Sequence, residues 1–292
     1  MLVSYAISVQ GSGHEEAGKP CQDCSRSEKI RDGDGRELVA MAIADGVGAC
    51  PFSDRGAAIA VNTTVDKFKN SIEEDKEWDK DLLDLIRQAF EAALTAVKET
   101  AEEEQVAYPL FDSTLTTVIY DGHKAYIGHI GDCGVVVLYA DGEYGLFTTR
   151  HKGAEVNHVK PLRHSELWEF VATEKETAAV LAMTDGILDE YVGKKAMNNR
   201  VFFPAIKPFL MDLVADEEDV VREKEEWEAY LSTDNAFREL VRDDLTIAVA
   251  RNTELIETME EPFFDREKWD ADSTAYEKEI EEFLYPSGCA AE

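Results

Sequence analysis

Between residues 114 and 149 the chain consists of short apolar segments joined by tight turns, and this pattern limits the possible folds more than any other feature. The segments are rich in β-branched and aromatic residues, which favours strands; they span 114–120, 124–130, 133–139 and 144–149. Their connections, Asp121-Gly122, Gly131-Asp132 and Asp141-Gly142, are too short for the crossover that parallel strands require. The pattern therefore predicts an antiparallel meander and argues against a Rossmann-type sheet.

Further strands and two long helices surround this series. Apolar runs predict strands at 2–9, 37–44, 178–184 and 245–250. Apolar residues at helical spacing predict one helix that begins near Asp54 and a second over about 80–104, both packed on sheets. Because no internal repeat and no Pro- or Gly-rich linker divides the chain, these elements predict a folded α+β protein.

Charge and cysteine content restrict the classes of function. The chain of 292 residues has 61 acidic and 30 basic side chains, a formal net charge of −31. Such a charge repels nucleic-acid phosphates and anionic lipids, so we expect neither nucleic acid nor membrane as a partner. The sequence has no signal-peptide pattern and no apolar run of roughly 20 residues. Five sparse cysteines do not form a disulfide pattern, which favours the cytoplasm; they are Cys21, Cys24, Cys50, Cys133 and Cys289.

Aspartates recur where apolar strands meet turns. Asp45 and Asp185 follow strands, whereas Asp243 precedes one. The end of one strand and the start of its antiparallel neighbour lie at the same edge of a sheet, so these carboxylates are expected to converge. Each alone is an ordinary turn residue, but several together would repel one another unless cations lie between them. Oxygen ligands without nearby His or Cys favour Mg²⁺ or Mn²⁺ over Zn²⁺.

An ordered set of motifs over about residues 4–251 resembles the metal-dependent protein phosphatases of type 2C, the PPM family, particularly its bacterial branch. The motifs are CQD (21–23), ADGVG (44–48), SDRGA (53–57), TLTTV (114–118), GHIGDCGVVVL (128–138), MTDGILD (183–189) and RDDLTIAVA (242–250). The resemblance implies a four-layer αββα sandwich, in which two antiparallel β-sheets are flanked by helices.

The resemblance also implies an activity and a set of site residues. Family members hydrolyse phosphoserine and phosphothreonine with a water that bridges two Mn²⁺ or Mg²⁺ ions. By resemblance, Asp45 is shared by both ions, the Gly46 carbonyl completes the first site, and Asp185 and Asp243 hold the second ion. Asp23 resembles the group that holds metal-bound water. The ligands of a third, weaker site in bacterial members correspond to Asp132 and Asp189.

The chain departs from the family pattern at three positions. Gln22 stands where many members have Glu, and Val47 stands where eukaryotic members have a proposed acid His. The phosphate-binding Arg of the family has no clear counterpart. Lys19 and His14 lie in the corresponding stretch and are therefore the candidates for substrate binding, although His14 alone is also an ordinary loop histidine.

The expected domain organisation is a phosphatase-like domain over 1–251 and an acidic, partly helical extension over 252–292. An acidic insertion at 192–240 occupies the place of the variable flap of the family. The basic stretch 150–164 is either a solvated loop or, in a minority interpretation, a guide for an anionic phosphopeptide through Lys160 and Arg163.

The implied partners are a phosphorylated protein substrate and a cognate Ser/Thr kinase. Two other functions remain open. One is a pseudophosphatase, a metal-stabilised binding or regulatory module with this fold, and the other is a phosphatase of small phosphoesters.

Overall fold

The computed structural model describes residues 1–74, 81–151, 159–192, 200–233 and 236–284, which build two antiparallel sheets of five strands. The first sheet has the order β1 (Leu2–Val9), β10 (Leu245–Asn252), β9 (Thr177–Met183), β6 (Gly134–Tyr139), β7 (Tyr144–Leu146). The second has the order β2 (Cys24–Arg31), β3 (Glu37–Ala44), β4 (Leu115–Tyr120), β5 (Ala125–Ile130), β8 (Glu169–Ala172). The α-helices are α1 (Ser12–Ala17), α2 (Ser53–Glu74), α3 (Leu82–Glu103), α4 (Asp185–Tyr191), α5 (Phe203–Met211), α6 (Glu217–Ser232), α7 (Ala236–Leu240), α8 (Thr253–Thr258) and α9 (Arg266–Leu284).

The three largest apolar clusters of the described residues lie between four layers of sheets and helices. The central core lies between the sheets and holds Met41 and Val118 of the second sheet against Val135 and Val180 of the first. On the outer face of the second sheet, α2 and α3 pack their apolar stripes, as the helical spacing predicts. Helices of the 192–240 region cover the first sheet. The predicted αββα sandwich is thereby confirmed.

The predicted meander is wrong at Gly131-Asp132. Strands β4 and β5 pair as a hairpin, but β6 pairs with β7 and β9 instead of β5. Gly131, with φ +112, turns the chain out of the second sheet and into the first. A turn that closes a hairpin and a turn that crosses between packed sheets use the same residues, so local sequence does not distinguish them.

Two strands were not predicted, β2 and β8. The β2 sequence CSRSEKIR is polar and mostly half-buried, so it lacks the apolar run or strict alternation that identified the other strands. It is nevertheless paired with β3 over its whole length. Pairing with an apolar neighbour therefore makes this segment a strand, against its own composition.

The acidic 192–240 region contains α5, α6 and α7 and is attached to the first sheet. Apolar residues of α5 and α6, such as Ile206, Phe209 and Leu231, are buried against strands β1, β9 and β10. Its acidic side chains lie mainly on the opposite, exposed face. The division of the chain at residue 251 stays a prediction. Among the described residues, no helix combines the length and apolarity needed to cross a bilayer.

Candidate metal centre

Three carboxylates converge where the two sheets meet. Asp45 follows β3 of the second sheet, Asp185 follows β9 of the first and begins α4, and Asp132 lies in the turn that joins the sheets. One carboxylate oxygen from each lies within 4.8 Å of the others. Strand ends thus bring together residues that are far apart in the chain, as the sequence pattern indicated for Asp45 and Asp185.

The electrostatics of this cluster favour a cation. Burial, followed by the charges of Asp23, Asp185, Asp132 and Asp243, raises the pKa of Asp45 well above its usual range. Burial is also the main cause that raises the pKa of Asp23. The donor set of the cluster is oxygen alone, which matches Mg²⁺ or Mn²⁺. Divalent cations would relieve the repulsion that these raised pKa values reflect.

The backbone around Asp45 is held tightly. Its N–H donates to Thr114 Oγ1 at 2.8 Å, and its carbonyl accepts from the Thr114 N–H at 2.8 Å. At Gly46, an added Cβ would lie 2.7 Å from the Gln22 carbonyl oxygen and 2.9 Å from Ser53, so a side chain does not fit. The predicted ligand pair Asp45-Gly46 is therefore fixed between the loop of Gln22 and the start of α2.

Asp23 lies near the cluster, and its charge acts on Asp45. Thr184 Oγ1 donates to Asp23 Oδ2 at 2.7 Å, which ties Asp23 to the residue before Asp185. The Gln22 side-chain oxygen is buried without a hydrogen-bond partner among the described residues. This acceptor is available to a water or cation and stands in the place where the family pattern has Glu.

Asp243 and its neighbour Asp244 have different environments. Asp244 is 2% exposed and accepts hydrogen bonds from the Gly11 N–H at 2.7 Å and the Gln22 N–H at 2.6 Å. The Asp243 side chain is 59% exposed, and its charge acts on Asp45. Asp244 thus positions the 11–22 segment, a role that no local pattern indicates, and Asp243 stays the predicted ligand.

Asp189 is not part of the three-carboxylate cluster. It forms an ion pair with Arg150, whose Nε also donates to the Asp132 carbonyl at 3.3 Å. Sequence reasoning placed Arg150 only in a basic stretch and gave it no role at the site. Nothing in the local sequence distinguishes it from its basic neighbours, because its partners lie 18 and 39 residues away.

The two candidates for substrate binding lie between β1 and β2, His14 on α1 and Lys19 in the loop after it. Lys19 Nζ donates to the Gly48 carbonyl at 3.2 Å, close to the Asp45-Gly46 turn. His14, on α1, places Nδ1 2.9 Å from Asp244 Oδ2 and Nε2 4.0 Å from Asp243 Oδ1. His14 therefore lies 4.0 Å from a predicted ligand, Asp243, whereas Lys19 contacts Gly48, two residues after Gly46.

Most described basic groups of the 150–164 stretch contact carboxylates. Arg163 Nε lies 3.1 Å from Asp112 Oδ2, and His151 Nε2 lies 3.3 Å from Glu169 Oε1. Lys152 and His158 lie outside the described residues. The ion pairs favour the interpretation of this stretch as a structural loop over that of a phosphopeptide guide.

The cysteines of the described chain are free thiols. Cys133 is fully buried, with Sγ 3.2 Å from Thr114 Oγ1, and burial raises its pKa well above the usual range. Burial likewise raises the pKa of Cys50. Neither thiol is therefore an activated nucleophile.

Solved structures of several bacterial phosphatases have a similar fold. Stp1, a serine/threonine phosphatase from Staphylococcus aureus, superposes with a TM-score of 0.56 at 13% identity, over 86% of this chain and 95% of Stp1. The S. agalactiae serine/threonine phosphatase gives 0.58 at 16% identity, over 86% and 99%. The catalytic domain of PstP, solved with two manganese ions, gives 0.55 at 19% identity, over 86% and 99%. At these identities the similarity establishes the fold.

The family follows from the sequence itself. No curated protein matches the chain in sequence. A sequence model described as protein phosphatase 2C, however, matches residues 10–229, which include Asp23, Asp45, Asp132 and Asp185. The chain belongs to the protein phosphatase 2C family and is a phosphoprotein phosphatase.

Proposed function

We propose that this protein is a Mn²⁺- or Mg²⁺-dependent serine/threonine phosphatase that hydrolyses phosphoserine and phosphothreonine with a metal-activated water. The observation that carries the proposal is the convergence of Asp45, Asp132 and Asp185 at the edge where the sheets meet. Two divalent cations bound there would activate a water for in-line attack and neutralise the phosphoryl oxygens. This chemistry requires no covalent phosphoenzyme, which agrees with the raised pKa of the Cys50 and Cys133 thiols.

Each residue of the predicted centre has its own role in binding the cations. In the proposal, Asp45 is shared, the Gly46 carbonyl completes one site, and Asp185 and Asp243 complete the other. Asp23, fixed by Thr184, orients water. Asp132 and Asp189 would hold a third ion. Since Asp189 is paired with Arg150, this third site forms only when that ion pair opens, which makes it weaker than the other two.

Lys19 is the stronger candidate for binding the substrate phosphate. Its Nζ contacts a neutral carbonyl, so this contact leaves the lysine charge uncompensated. Arg150, by contrast, is neutralised by Asp189. A lysine acts as a point charge instead of a bidentate fork, so phosphate affinity is expected to be lower than with the arginine of the family pattern.

The test is phosphate release from p-nitrophenyl phosphate and from a phosphothreonine peptide, with Mn²⁺, Mg²⁺ or EDTA. We expect turnover that requires the metal and falls by more than about a hundredfold in Asp185→Asn. Glu225→Gln is the matched control, because it removes one negative charge at an exposed position of α6, outside the proposed ligands. Its turnover is expected to stay within a factor of about ten of the native rate.

The other outcomes separate the alternatives. If calorimetry shows Mn²⁺ binding but neither substrate turns over, the protein is a pseudophosphatase. Turnover of the small ester alone would identify a phosphatase of small molecules. Peptide turnover would make the identity of the phosphoprotein, and of the kinase that phosphorylates it, the next question.

A further inference from the structure

A cavity of about 720 Å³ lies along β7, and none of the predicted metal-centre residues lines it. One wall is the edge strand β7 with its preceding Asp141-Gly142 turn, and the other is the segment 260–265 that joins α8 to α9. The Tyr144 hydroxyl donates to the Phe263 carbonyl at 3.2 Å and so joins the two walls. We call this feature the β7 groove.

The β7 groove has an open strand edge. Strand β7 pairs only with β6 among the described strands. The Glu143 carbonyl and the Phe147 N–H bond to β6. Because backbone groups alternate in direction along an antiparallel strand, those of Tyr144 and Leu146 point away from β6. An extended peptide could therefore pair with these two residues, as in β-strand addition.

The rim of the groove is acidic. Five acidic residues and one arginine line it: Asp141, Glu143, Glu260, Glu261, Asp265 and Arg200. Lysines outside the lining neutralise part of this charge. Lys175 pairs with Asp141 at 2.8 Å and Glu143 at 2.5 Å, and Lys207 pairs with Glu261 at 2.5 Å.

The remaining acidic groups face the groove without such partners. Arg200 forms its ion pair with Asp272. Within the described part of the chain, Glu260 and Asp265 have no lysine or arginine at ion-pair distance, so the rim keeps a negative potential. The charge of −31 on the whole chain adds to that potential.

The floor and walls contain aromatic rings. Tyr144 stacks on Phe203 with ring centroids 4.3 Å apart, which fixes its ring at the base of the groove. Phe264 and Trp269 also line the groove and pack on each other, with ring centroids 5.9 Å apart. Phe263 is 80% exposed, the most exposed large hydrophobic residue described. Aromatic faces beside carboxylates bind the alkyl stems and cationic heads of Lys and Arg.

We propose that the β7 groove binds an extended, Lys/Arg-rich segment of a partner protein. The backbone of the segment pairs with Tyr144 and Leu146, its cationic heads lie against Glu260 and Asp265, and its side-chain stems cover Phe263. Recognition depends on positive charge and not on phosphate, so it is separate from the proposed catalytic activity. The groove would recruit a basic protein to an otherwise acidic enzyme.

The test measures binding of a fluorescent, unphosphorylated peptide of alternating arginine and serine to the full chain in EDTA. A peptide of alternating glutamate and serine serves as the probe of opposite charge. The groove variants are Glu260→Lys and Phe263→Ala. Their matched controls are Glu99→Lys, on the exposed face of α3, and Leu213→Ala, at a side chain that is 55% exposed.

We expect the arginine peptide to bind and the glutamate peptide not to bind. Glu260→Lys and Phe263→Ala should each weaken binding about five- to tenfold, whereas each control should change it by less than about twofold. An equal loss in Glu99→Lys would show attraction by net charge alone and would overturn the proposal. An unchanged affinity in Phe263→Ala would overturn it as well. Thermal unfolding confirms that each variant folds, and Glu260→Gln replaces Glu260→Lys if it does not.

Discussion

At the level of single residues, the fold places several carboxylates close together in the predicted metal centre, which destabilises their ionised forms. The raised pKa values of Asp23 and Asp45 show that burial and mutual repulsion disfavour their ionised forms. A group whose folded-state pKa is raised makes its stabilising contribution below its unfolded pKa, and that contribution is lost as pH rises through the folded pKa. In the metal-free protein, these two residues therefore act against stability at neutral pH.

This sign gives a prediction for pH. In EDTA, the difference in Tm between Asp45→Asn and the native protein should be small near pH 4 and should grow in favour of the variant towards pH 8. The asparagine cannot ionise, so the variant lacks the repulsion between residue 45 and the neighbouring carboxylates that develops in the native protein. Thermal unfolding across this range measures the difference. A native protein more stable than the variant at pH 8 in EDTA would contradict the prediction.

With Mn²⁺ bound, the native protein should be more stable than Asp45→Asn, the reverse of their order in EDTA. At Mn²⁺ one hundred times its dissociation constant, mass action stabilises the native protein by about 2.7 kcal/mol per site. Asp45→Asn should lose most of this stabilisation, because it removes the carboxylate that both ions are proposed to share. Urea unfolding at pH 7 with and without Mn²⁺ measures the effect, with Glu225→Gln, at an exposed position of α6, as the control expected to keep the Mn²⁺ stabilisation.

The site residues that sequence could predict are those at strand ends. Asp45 and Asp185 follow apolar runs, and Asp132 lies in a Gly-Asp turn, so their positions at a sheet edge follow from local pattern. The roles of Asp244 and Arg150 did not follow. Asp244 bonds to residues 222 and 233 positions away, and only the packed fold creates those contacts.

At the scale of the element, the turn at Gly131 decides which sheet receives β6. A Cβ added to Gly131 would lie 2.4 Å from the side chain of Thr114, and its φ of +112 is strained for any other residue. We expect Gly131→Ala to destabilise the protein by about 2–4 kcal/mol, from backbone strain and the clash together. Gly35→Ala is the control, since Gly35 has φ +82 but no atom within 4 Å of the added Cβ.

Urea unfolding compares these two alanine variants. Gly35→Ala should lower the free energy of unfolding by about 1–2 kcal/mol, from the strain of a positive φ alone. Equal losses in the two variants would mean that the contact with Thr114 relaxes without cost. Such data resolve differences of about 1 kcal/mol in the free energy of unfolding. If Gly131→Ala loses at least that much more than Gly35→Ala, packing against Thr114 holds the turn.

A buried ion pair fastens the acidic region to the first sheet. Arg251 on β10 is fully buried and forms a two-pronged pair with Glu223 on α6, and it also donates to the Phe209 carbonyl of α5 at 3.0 Å. The Tyr5 hydroxyl donates to Glu223 at 2.8 Å. Burial, together with the charge of Glu223, raises the pKa of Tyr5, so it remains a neutral donor. One side chain of α6 thus contacts two strands.

Removing one partner of this pair should be costly. Glu223→Gln leaves the guanidinium of Arg251 buried without its counter-charge, and we expect a loss of about 3–5 kcal/mol in the free energy of unfolding. Glu225→Gln, at an exposed position of the same helix, should change stability by less than about 0.5 kcal/mol. Denaturant titration tests both. A small effect at Glu223 would mean that water enters to solvate Arg251.

Strands were predicted correctly from the sequence where they are continuously apolar, and less well where they are polar. Apolar strands such as β3 and β9 were found nearly to the residue, because each has an uninterrupted run of buried side chains. The polar strand β2 was not predicted, and the predicted pairing of β5 with β6 across Gly131-Asp132 was wrong. Both errors concern pairing partners, which depend on segments distant in the chain and not on the composition of the strand itself.

At the scale of the whole molecule, the charge of −31 governs stability and association. Self-repulsion destabilises a compact, highly charged chain, and salt screens it. We expect Tm in EDTA to rise as KCl increases from about 10 mM to about 1 M, since the Debye length falls from ~30 Å to ~3 Å. The same salt should weaken peptide binding in the β7 groove. A Tm that falls with KCl would contradict the first expectation.

The crossing of the chain at Gly131-Asp132 makes the centre sensitive to the spacing of the two layers. Asp45 moves with the second sheet, Asp185 moves with the first, and Asp132 lies on the covalent link between them. A change in the spacing of the two layers would alter the distances between these three carboxylates. If cations bind there, anything that pulls the layers apart lowers their affinity, and by reciprocity cations resist that separation. The centre would then respond to mechanical strain on either outer face of the protein.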